Sequence, residues 1–366
     1  MGNSNLSRAK SAKNDEFYTQ YADIQKEINA YLEYDKDVFR DKTILLPCDD
    51  PEWSNFTKFF AQNFVNFGLK KLISTSYAID SKYQKYGQLD LFEDADFIKN
   101  NPNYDFSKNA KKGKIFTLTR RNKRVDYNDL EWKYLEGDGD FRSDEVKKLR
   151  DEADFIITNP PFSLFREFIA WLFEAEQKKF LVIGNMNAIT YKEVFSLIKD
   201  NKLWLGATGF STDMVFAVPK GTEVKQSDKE KAERLGYKGD FTRLGNSCWF
   251  SNIDHGRRHK PLELMTMADN IKFNKKIKSC PYPKYDNYDA IEVCVTNGIP
   301  SDYDGVMGVP ISFLDKYCPE QFEIVWTSDR GGDGMLDHIK LPSERYDAPT
   351  INGKGLYKRI MIRKIQ

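Results

Sequence analysis

The sequence predicts an α/β fold with a doubly wound, mainly parallel sheet. Two observations carry that expectation. Apolar runs of strand length, at 42–48, 70–77, 154–159 and 179–186, alternate with segments of helical period at 54–68, 163–175 and 190–201. Such alternation needs crossover connections, which make neighbouring strands parallel. Several runs also end on acids, Asn or Pro, at the strand ends where open sheets bind ligands.

Each element has a local reason. Residues 1–14 (MGNSNLSRAKSAKN) are small and polar and read as a flexible arm. Residues 21–34 read as a helix. KTILLPC (42–48) is a β-rich run bounded by turn residues, a buried strand. SNFTKFFAQNFVNFG (54–68) places aromatics at 56, 59, 60, 64 and 67 and stops at Gly68, an amphipathic helix capped by Ser54 or Asn55. KKLISTSY (70–77) is the next strand. Residues 80–130 are polar and break the rhythm, as an inserted lobe would. DFIITN, SLFREFIAWLFEA, KFLVIGNM and TYKEVFSLIKDN then restore it. DMVFAV (213–218) and SCWFSNI (247–253) read as a late hairpin, joined by a Lys/Glu/Gly-rich mobile loop. The texture changes after about residue 256, which divides a domain over 15–256 from a second region over 257–366.

Composition sets the bounds. The 366 residues suit about two domains, or one large domain with an extension. With 40% hydrophobic and 14% aromatic residues the chain can bury a sizeable core. Its 56 basic and 55 acidic residues nearly cancel, so a nucleic-acid partner has to be argued from local charge. The five cysteines are scattered and odd in number, and with three histidines they make no metal set. They read as the reduced thiols of a cytoplasmic protein. No run approaches the ~18 apolar residues of a membrane span.

The most informative stretch is DFIITNPPFSLF (154–165), which ends a strand on Asn159, Pro160, Pro161 and Phe162. Two prolines remove two backbone donors and fix φ, leaving a stiff turn with exposed acceptors. The Asn159 side-chain oxygen and the Pro160 carbonyl can both accept from one exocyclic amine. Phe162 can lie against the ring that carries it. This draws the amine lone pair out of conjugation and presents it to an electrophile. A plain Asn-Pro turn is the competing reading.

Three further stretches supply context: EFYTQY (16–21), LLPCDDPEWSNF (45–56) and EGDGDFRS (136–143). An acid after the first strand can meet a methionine ammonium. An acid followed by Phe can bond an adenine amine and stack on its ring. Helix capping is the competing reading for these acids. With KNDEFYTQYADI, CDDPEWSNFTKFFAQNF, GLKKLI, GDGDFRSDE, TNPPFSLFREFI, ITYKEVFSLIKDNKLWLG, YPKYDNYDAIEV and GVMGVPISFLDKYCPEQFE, the chain resembles the EcoRI-type DNA adenine-N6 methyltransferases from about residue 13 to about 325.

That resemblance implies the class I methyltransferase fold, S-adenosyl-L-methionine as cofactor, double-stranded DNA as substrate, and an adenine N6 as target, flipped out of the duplex. It implies Asn159, Pro160, Pro161 and Phe162 as the catalytic motif, with Asn159 also beside the cofactor. For the cofactor it implies Phe17, Tyr18 and Thr19, then Asp49, Asp50 and Pro51, then Asp138, Asp140 and Phe141. The choices between Asp49 and Asp50, and between Asp138 and Asp140, stay open. Glu52-Trp53-Ser54 stands where other methyltransferases carry a glycine-rich loop. The resemblance further implies a monomer, with a cognate restriction endonuclease acting separately.

Basic runs supply the local charge that DNA needs. Residues 111–124 hold seven Lys/Arg and no acid, and 256–279 hold seven against two acids. The last 13 residues add five more. Arg120, Arg121, Lys123, Arg124, Arg257, Arg258 and Lys260 are candidate DNA contacts, and 257–366 is the expected DNA-recognition region. Solvated faces are the competing reading. His255 and His259 read as a phosphate or surface set, and the tyrosines of YPKYDNY (282–288) as packing. Pro47-Cys48 invites a cytosine-C5 mechanism, but Cys48 lies in the first strand, far in sequence from the amine grip, and reads as a small buried hydrophobe. Cytosine-N4, RNA-adenine and protein-glutamine methylation share the grip chemistry, and a catalytically silent DNA-binding protein is the rival of another class.

Overall fold

The computed structural model describes residues 17–49, 54–78, 105–109, 111–120, 131–211, 214–218, 222, 224–328 and 348–365. The expected arm at 1–14 and most of the expected lobe at 80–130 lie outside the described residues. In chain order the first elements are β1 (Tyr18–Thr19), α1 (Tyr21–Tyr34), β2 (Thr43–Leu46), α2 (Asn55–Gln62), β3 (Lys71–Ser76), β4 (Lys114–Thr119) and β5 (Glu131–Tyr134). Next come α3 (Asp144–Glu152), β6 (Phe155–Thr158), α4 (Phe165–Phe173), β7 (Lys179–Asn185), α5 (Lys192–Lys199) and β8 (Trp204–Leu205). They are followed by β9 (Val215–Ala217), α6 (Gln226–Arg234), β10 (Phe241–Arg243), β11 (Ser247–Ser251), α7 (Met267–Phe273) and α8 (Lys275–Ser279). The chain closes with β12 (Ile291–Glu292), β13 (Met307–Pro310), β14 (Phe322–Thr327), β15 (Thr350–Ile351), β16 (Lys354–Gly355) and β17 (Arg359–Lys364). Two compact units result: Met1–Met186 with Ser211–Ile253, and Asn187–Phe210 with Asp254–Gln366. The second unit thus takes 187–210 as well as the region after 256.

In the first unit the main sheet runs β5-β4-β3-β2-β6-β7-β11. Its centre, β3-β2-β6-β7, is parallel. Every residue of β2 (TILL) and β6 (FIIT) is buried, as strands covered on both faces must be. α1 turns Ile24, Glu27, Ile28 and Tyr31 inward, and α2 does the same with Phe56, Phe59 and Phe60. Both sets follow the helical 3–4 spacing. Ser54 caps α2, its Oγ accepting from the Phe56 N–H at 3.1 Å.

Three expectations change. The parallel centre carries antiparallel pairs at both flanks: β4 runs against both β3 and β5, and β11 runs against β7, so the sheet is mixed. Lys114–Thr119 belongs to this sheet, paired along the whole of β3, so the inserted lobe does not extend through it. The late hairpin does not form. Its first half, β9, pairs with β1 and β10 in a separate three-stranded sheet, while its second half, β11, pairs with β7. The intervening segment expected to be mobile contains both α6 and β10.

The second unit is built on a four-stranded sheet, β12-β13-β17-β14. Tyr285, Tyr288, Ala290, Trp326 and Met361 form one apolar cluster there, so these tyrosines of YPKYDNY pack inward. Beside that cluster Glu292 is 1% exposed. Arg359 grips it through Nε at 3.0 Å and Nη2 at 2.8 Å, and the Tyr285 hydroxyl donates to the same carboxylate. Burial pushes the Tyr285 phenol well above its ordinary range, which keeps it the donor.

A second polar staple joins the segment that follows residue 253 to the turn before β14. The His259 ring meets Glu320 through Nδ1 at 2.7 Å and Asp254 through Nε2 at 2.9 Å. Partial burial disfavours the charged ring, but its hydrogen bonds to Asp254 and Glu320, and their charges, outweigh that and raise its pKa. A raised folded pKa means that the staple stabilises fully below the unfolded ring's value of about 6.5. The contribution is lost as pH rises through the folded value. His259→Gln should therefore flatten the fall in urea midpoint between about pH 6 and about pH 8. An equally steep fall in the variant would show that other groups cause it.

Candidate active site

Because β3, β2 and β6 are adjacent and parallel, their carboxyl ends share one edge. Two strand spacings of ~4.8 Å separate β3 from β6, about 10 Å in all. Three of the sequence-derived motifs meet at this edge: Asp49 follows β2, the 136–141 loop abuts the end of β3, and Asn159 follows β6. Asp50 and Pro51 lie outside the described residues.

Asn159 is half-buried and Pro160 buried, so the turn is held by its own strand. Pro161 then leads into a short turn at Phe162–Leu164 and α4. The Asn159 Nδ2 donates to the Phe17 carbonyl at 2.6 Å. This contact spans 142 positions in sequence and fixes which way the amide points. Its Oδ1 is buried and accepts from no donor among the described residues. Phe162 stacks on Phe17 with centroids 5.6 Å apart.

A third ring completes the wall. Phe216 on β9 meets Phe17 edge-on at 5.9 Å and Phe162 at 6.5 Å. Sequence reasoning missed it, since only the pairing of Thr19 with Phe216 brings it here. The signal present was the alternation of VFAV, read as half of a hairpin. On the same small sheet Thr19 is buried, its Oγ1 without a hydrogen-bond partner among the described residues. Its carbonyl accepts from the Asn55 side chain at 2.8 Å. Tyr18 is half-buried beside it.

Asp49 is 6% exposed and accepts from the Ser54 hydroxyl at 2.7 Å. The acid is thereby tied to the residue that caps α2. Ser74 of β3 donates to the Asp49 carbonyl, and Thr75 donates to that of Pro47 at 3.0 Å. The neighbouring Cys48 is half-buried rather than buried as expected, and partial burial and Asp49 hold its thiol well above its ordinary pKa. A raised thiol pKa disfavours the thiolate that a cytosine-C5 mechanism needs.

The two acids of GDGDF part company. Asp140 is clamped by Arg142, with Nη2 at 2.6 Å and Nε at 2.9 Å. That hydrogen bond raises the Arg142 pKa further above its ordinary value. Asp138 instead accepts from the Asp140 backbone N–H at 3.0 Å, and its carbonyl ties to Ala78 at 2.7 Å. Phe141 is 4% exposed and packs edge-on against Phe168 and Trp171. Its ring therefore anchors the loop to α4. Between the acids, Gly139 has φ +85°, and a Cβ there would collide with the Ser76 carbonyl oxygen. Gly139→Ala should cost about 1–3 kcal/mol, read as a lower denaturant midpoint; wild-type stability would show that the loop swings free of β3 without penalty.

The basic candidates fare unevenly. Arg121, Lys123 and Arg124 lie outside the described residues. Arg120 is exposed but paired with Asp41 at 3.0 Å. Arg257 is engaged by Asp315 at 2.6 Å and by the Ala207 carbonyl. Arg258 is 7% exposed, lies 3.7 Å over the Trp204 ring and donates to Asn201. Both arginines hold their own unit together rather than face outward. Lys260 is exposed. His255 is buried, bonded to the Leu205 carbonyl at 3.0 Å, and burial lowers its pKa to about 4. At 3% exposure its ring does not face a phosphate. Among the described residues no group of three His, Cys, Asp or Glu could hold a metal, and no helix is long and apolar enough to cross a membrane.

An α/β sheet whose strand ends gather a stiff acceptor turn, an aromatic wall and a buried acid has the equipment for chemistry on a planar amine, the work of the amino-methyltransferases. Residues 5–365 match the family described as adenine-specific methyltransferase EcoRI. The Type II methyltransferase M.EcoRI of Escherichia coli is 42% identical over 360 residues, covering 98% of this chain and 95% of that one. Type II methyltransferases of Mycoplasma genitalium and Mycoplasma pneumoniae are 34% and 32% identical, each over 99% of this chain and over 99% and 98% of their own lengths. No solved structure matches the chain. The chain belongs to the EcoRI family of adenine-specific methyltransferases, and it is a DNA methyltransferase of that type.

Proposed function

We propose that the enzyme transfers a methyl group from S-adenosyl-L-methionine to the N6 of an adenine flipped out of double-stranded DNA. The observation that carries this is the Asn159 amide. Its Nδ2 is committed to the Phe17 carbonyl, which leaves a buried Oδ1 without a protein donor beside the Phe162 ring. An adenine amine supplies the missing donor. The Oδ1 and the Pro160 carbonyl accept its two N–H groups and hold the nitrogen lone pair out of the ring. Phe162 and its aromatic neighbours take the face of the base. A half-buried acceptor cannot reach a stacked base, so the adenine has to leave the duplex.

The cofactor suits the same edge. Asp49, held by Ser54 at the start of α2, is placed for a methionine ammonium, with Thr19 and its orphaned hydroxyl beside Asn55. Asp138 is the better of its pair for the adenine amine, because Asp140 is already paired with Arg142. Phe141 supports that loop from behind. When bound, the cofactor supplies an electrophilic sulfonium methyl. The chain's part is to align the amine with it and to stabilise the pyramidal nitrogen. We read the parallel strands and their helices as the doubly wound core of this methyltransferase class, and 257–366 as its DNA-recognition region. Protection of DNA against a separate restriction endonuclease, by a monomer, fits the family.

The test is transfer of labelled methyl from S-adenosylmethionine to mixed-sequence duplex DNA, followed by nucleoside analysis. N6-methyladenine at one short motif is expected. N4-methylcytosine, or label in RNA or protein only, would overturn the base or substrate assignment.

A further inference from the structure

We propose that the corner formed by α7 and α8 in the second unit is a DNA-contacting surface, with Phe273 as its apolar contact and Lys272, Lys275, Lys276 and Lys278 facing phosphates. This rests on the duplex-DNA reading above and names a surface for it. Residues 270–285 contain five lysines and no acid. All four lysines named are exposed, and none forms an ion pair among the described residues. Several other basic side chains of this unit are paired: Arg257 with Asp315, Arg359 with Glu292 and Lys364 with Asp304. The four closely spaced lysines concentrate positive charge at this corner.

Phe273 is 64% exposed at the end of α7, and the Lys272 ammonium lies 4.9 Å over its ring. A floppy tip would need no explanation, but this base is rigid. Asn270 is fully buried and donates to the Met265 carbonyl at 3.2 Å. Ile277 is fully buried against Gly298, whose carbonyl accepts from the Tyr282 hydroxyl at 2.8 Å. Asn274 ends α7 and caps α8, accepting from the Lys276 N–H at 3.1 Å. A fixed aromatic among unpaired lysines suits a polyanion that also offers sugar and base faces. A lipid surface would want a whole apolar helix face, and α7 turns the polar Asn270 inward and lysine outward.

The experiment measures duplex binding by the full-length protein against salt concentration. Wild type, a variant with all four lysines changed to Gln, Phe273→Ala, and the control Lys229→Gln on α6 are compared. In the lysine variant the slope of log affinity against log salt should become shallower by about 0.9 for each phosphate no longer neutralised. Phe273→Ala should weaken binding several-fold at an unchanged slope, and the control should match wild type. Unchanged slope and affinity in both variants would overturn the proposal while wild-type methylation of DNA leaves the function standing. If the variants bind duplex DNA like wild type but bind phosphatidylserine-containing vesicles less well than wild type, the proposal is also overturned. If the wild type methylates no DNA, the functional reading itself has failed.

Discussion

Replacing Asn159 with alanine is expected to lower kcat at least about a hundredfold to a thousandfold, the usual cost of removing one preorganised polar group at a reacting centre. Cofactor affinity should change little, since the acids at 49 and 138 stay in place. Asn159→Asp is the sharper companion. It keeps an oxygen for the amine but sets a carboxylate against the Phe17 carbonyl that now accepts at 2.6 Å. Two acceptors facing one another repel, so the side chain must turn and the grip is lost. Single-turnover methylation and calorimetric cofactor titration separate the two effects. Full turnover in either variant would remove Asn159 from the chemistry.

The largest stability effect should come from Glu292. Its side chain is 2% exposed and that of Arg359 is 14% exposed. Deleting one partner leaves the other charge buried and uncompensated, at about 3–5 kcal/mol. Glu292→Ala should therefore unfold the second unit at markedly lower denaturant. A double change, Glu292→Leu with Arg359→Met, should recover much of the stability, because well-packed apolar residues often replace a buried pair without penalty. If the single variant is as stable as wild type, water reaches the pair and the burial argument fails.

What could be read in advance followed the range of the interactions. FIIT ending on Asn159, and the phenylalanine spacing of α2, are local patterns that burial enforces on neighbouring residues. Phe216 is joined to Phe17 by a pairing that spans about two hundred residues of chain, and no periodicity reports that. KIFTLT has strand composition, but the polar text around it hid a strand of the main sheet. α6 (QSDKEKAER) buries only Ala232, so it has no apolar stripe to read. Charge misled for a related reason. A run of Lys and Arg shows where cations are, but not that Asp315, Glu292 and Asn201 wait elsewhere in the chain to bind them. The two acids of GDGDF were inseparable for the same reason, until Arg142 was seen to clamp one of them.

The atom that aims the Asn159 amide is the carbonyl oxygen of residue 17, part of the main chain. Every amino acid carries that oxygen, so no codon at this position deletes it. A scan of substitutions at Phe17 would register only the loss of an aromatic neighbour and would overlook the residue's part in setting the amide. The hydrogen bond depends on the path of the strand, which β9 and β10 hold from far downstream. Changes there can disarm Asn159 while every residue of its own motif remains intact.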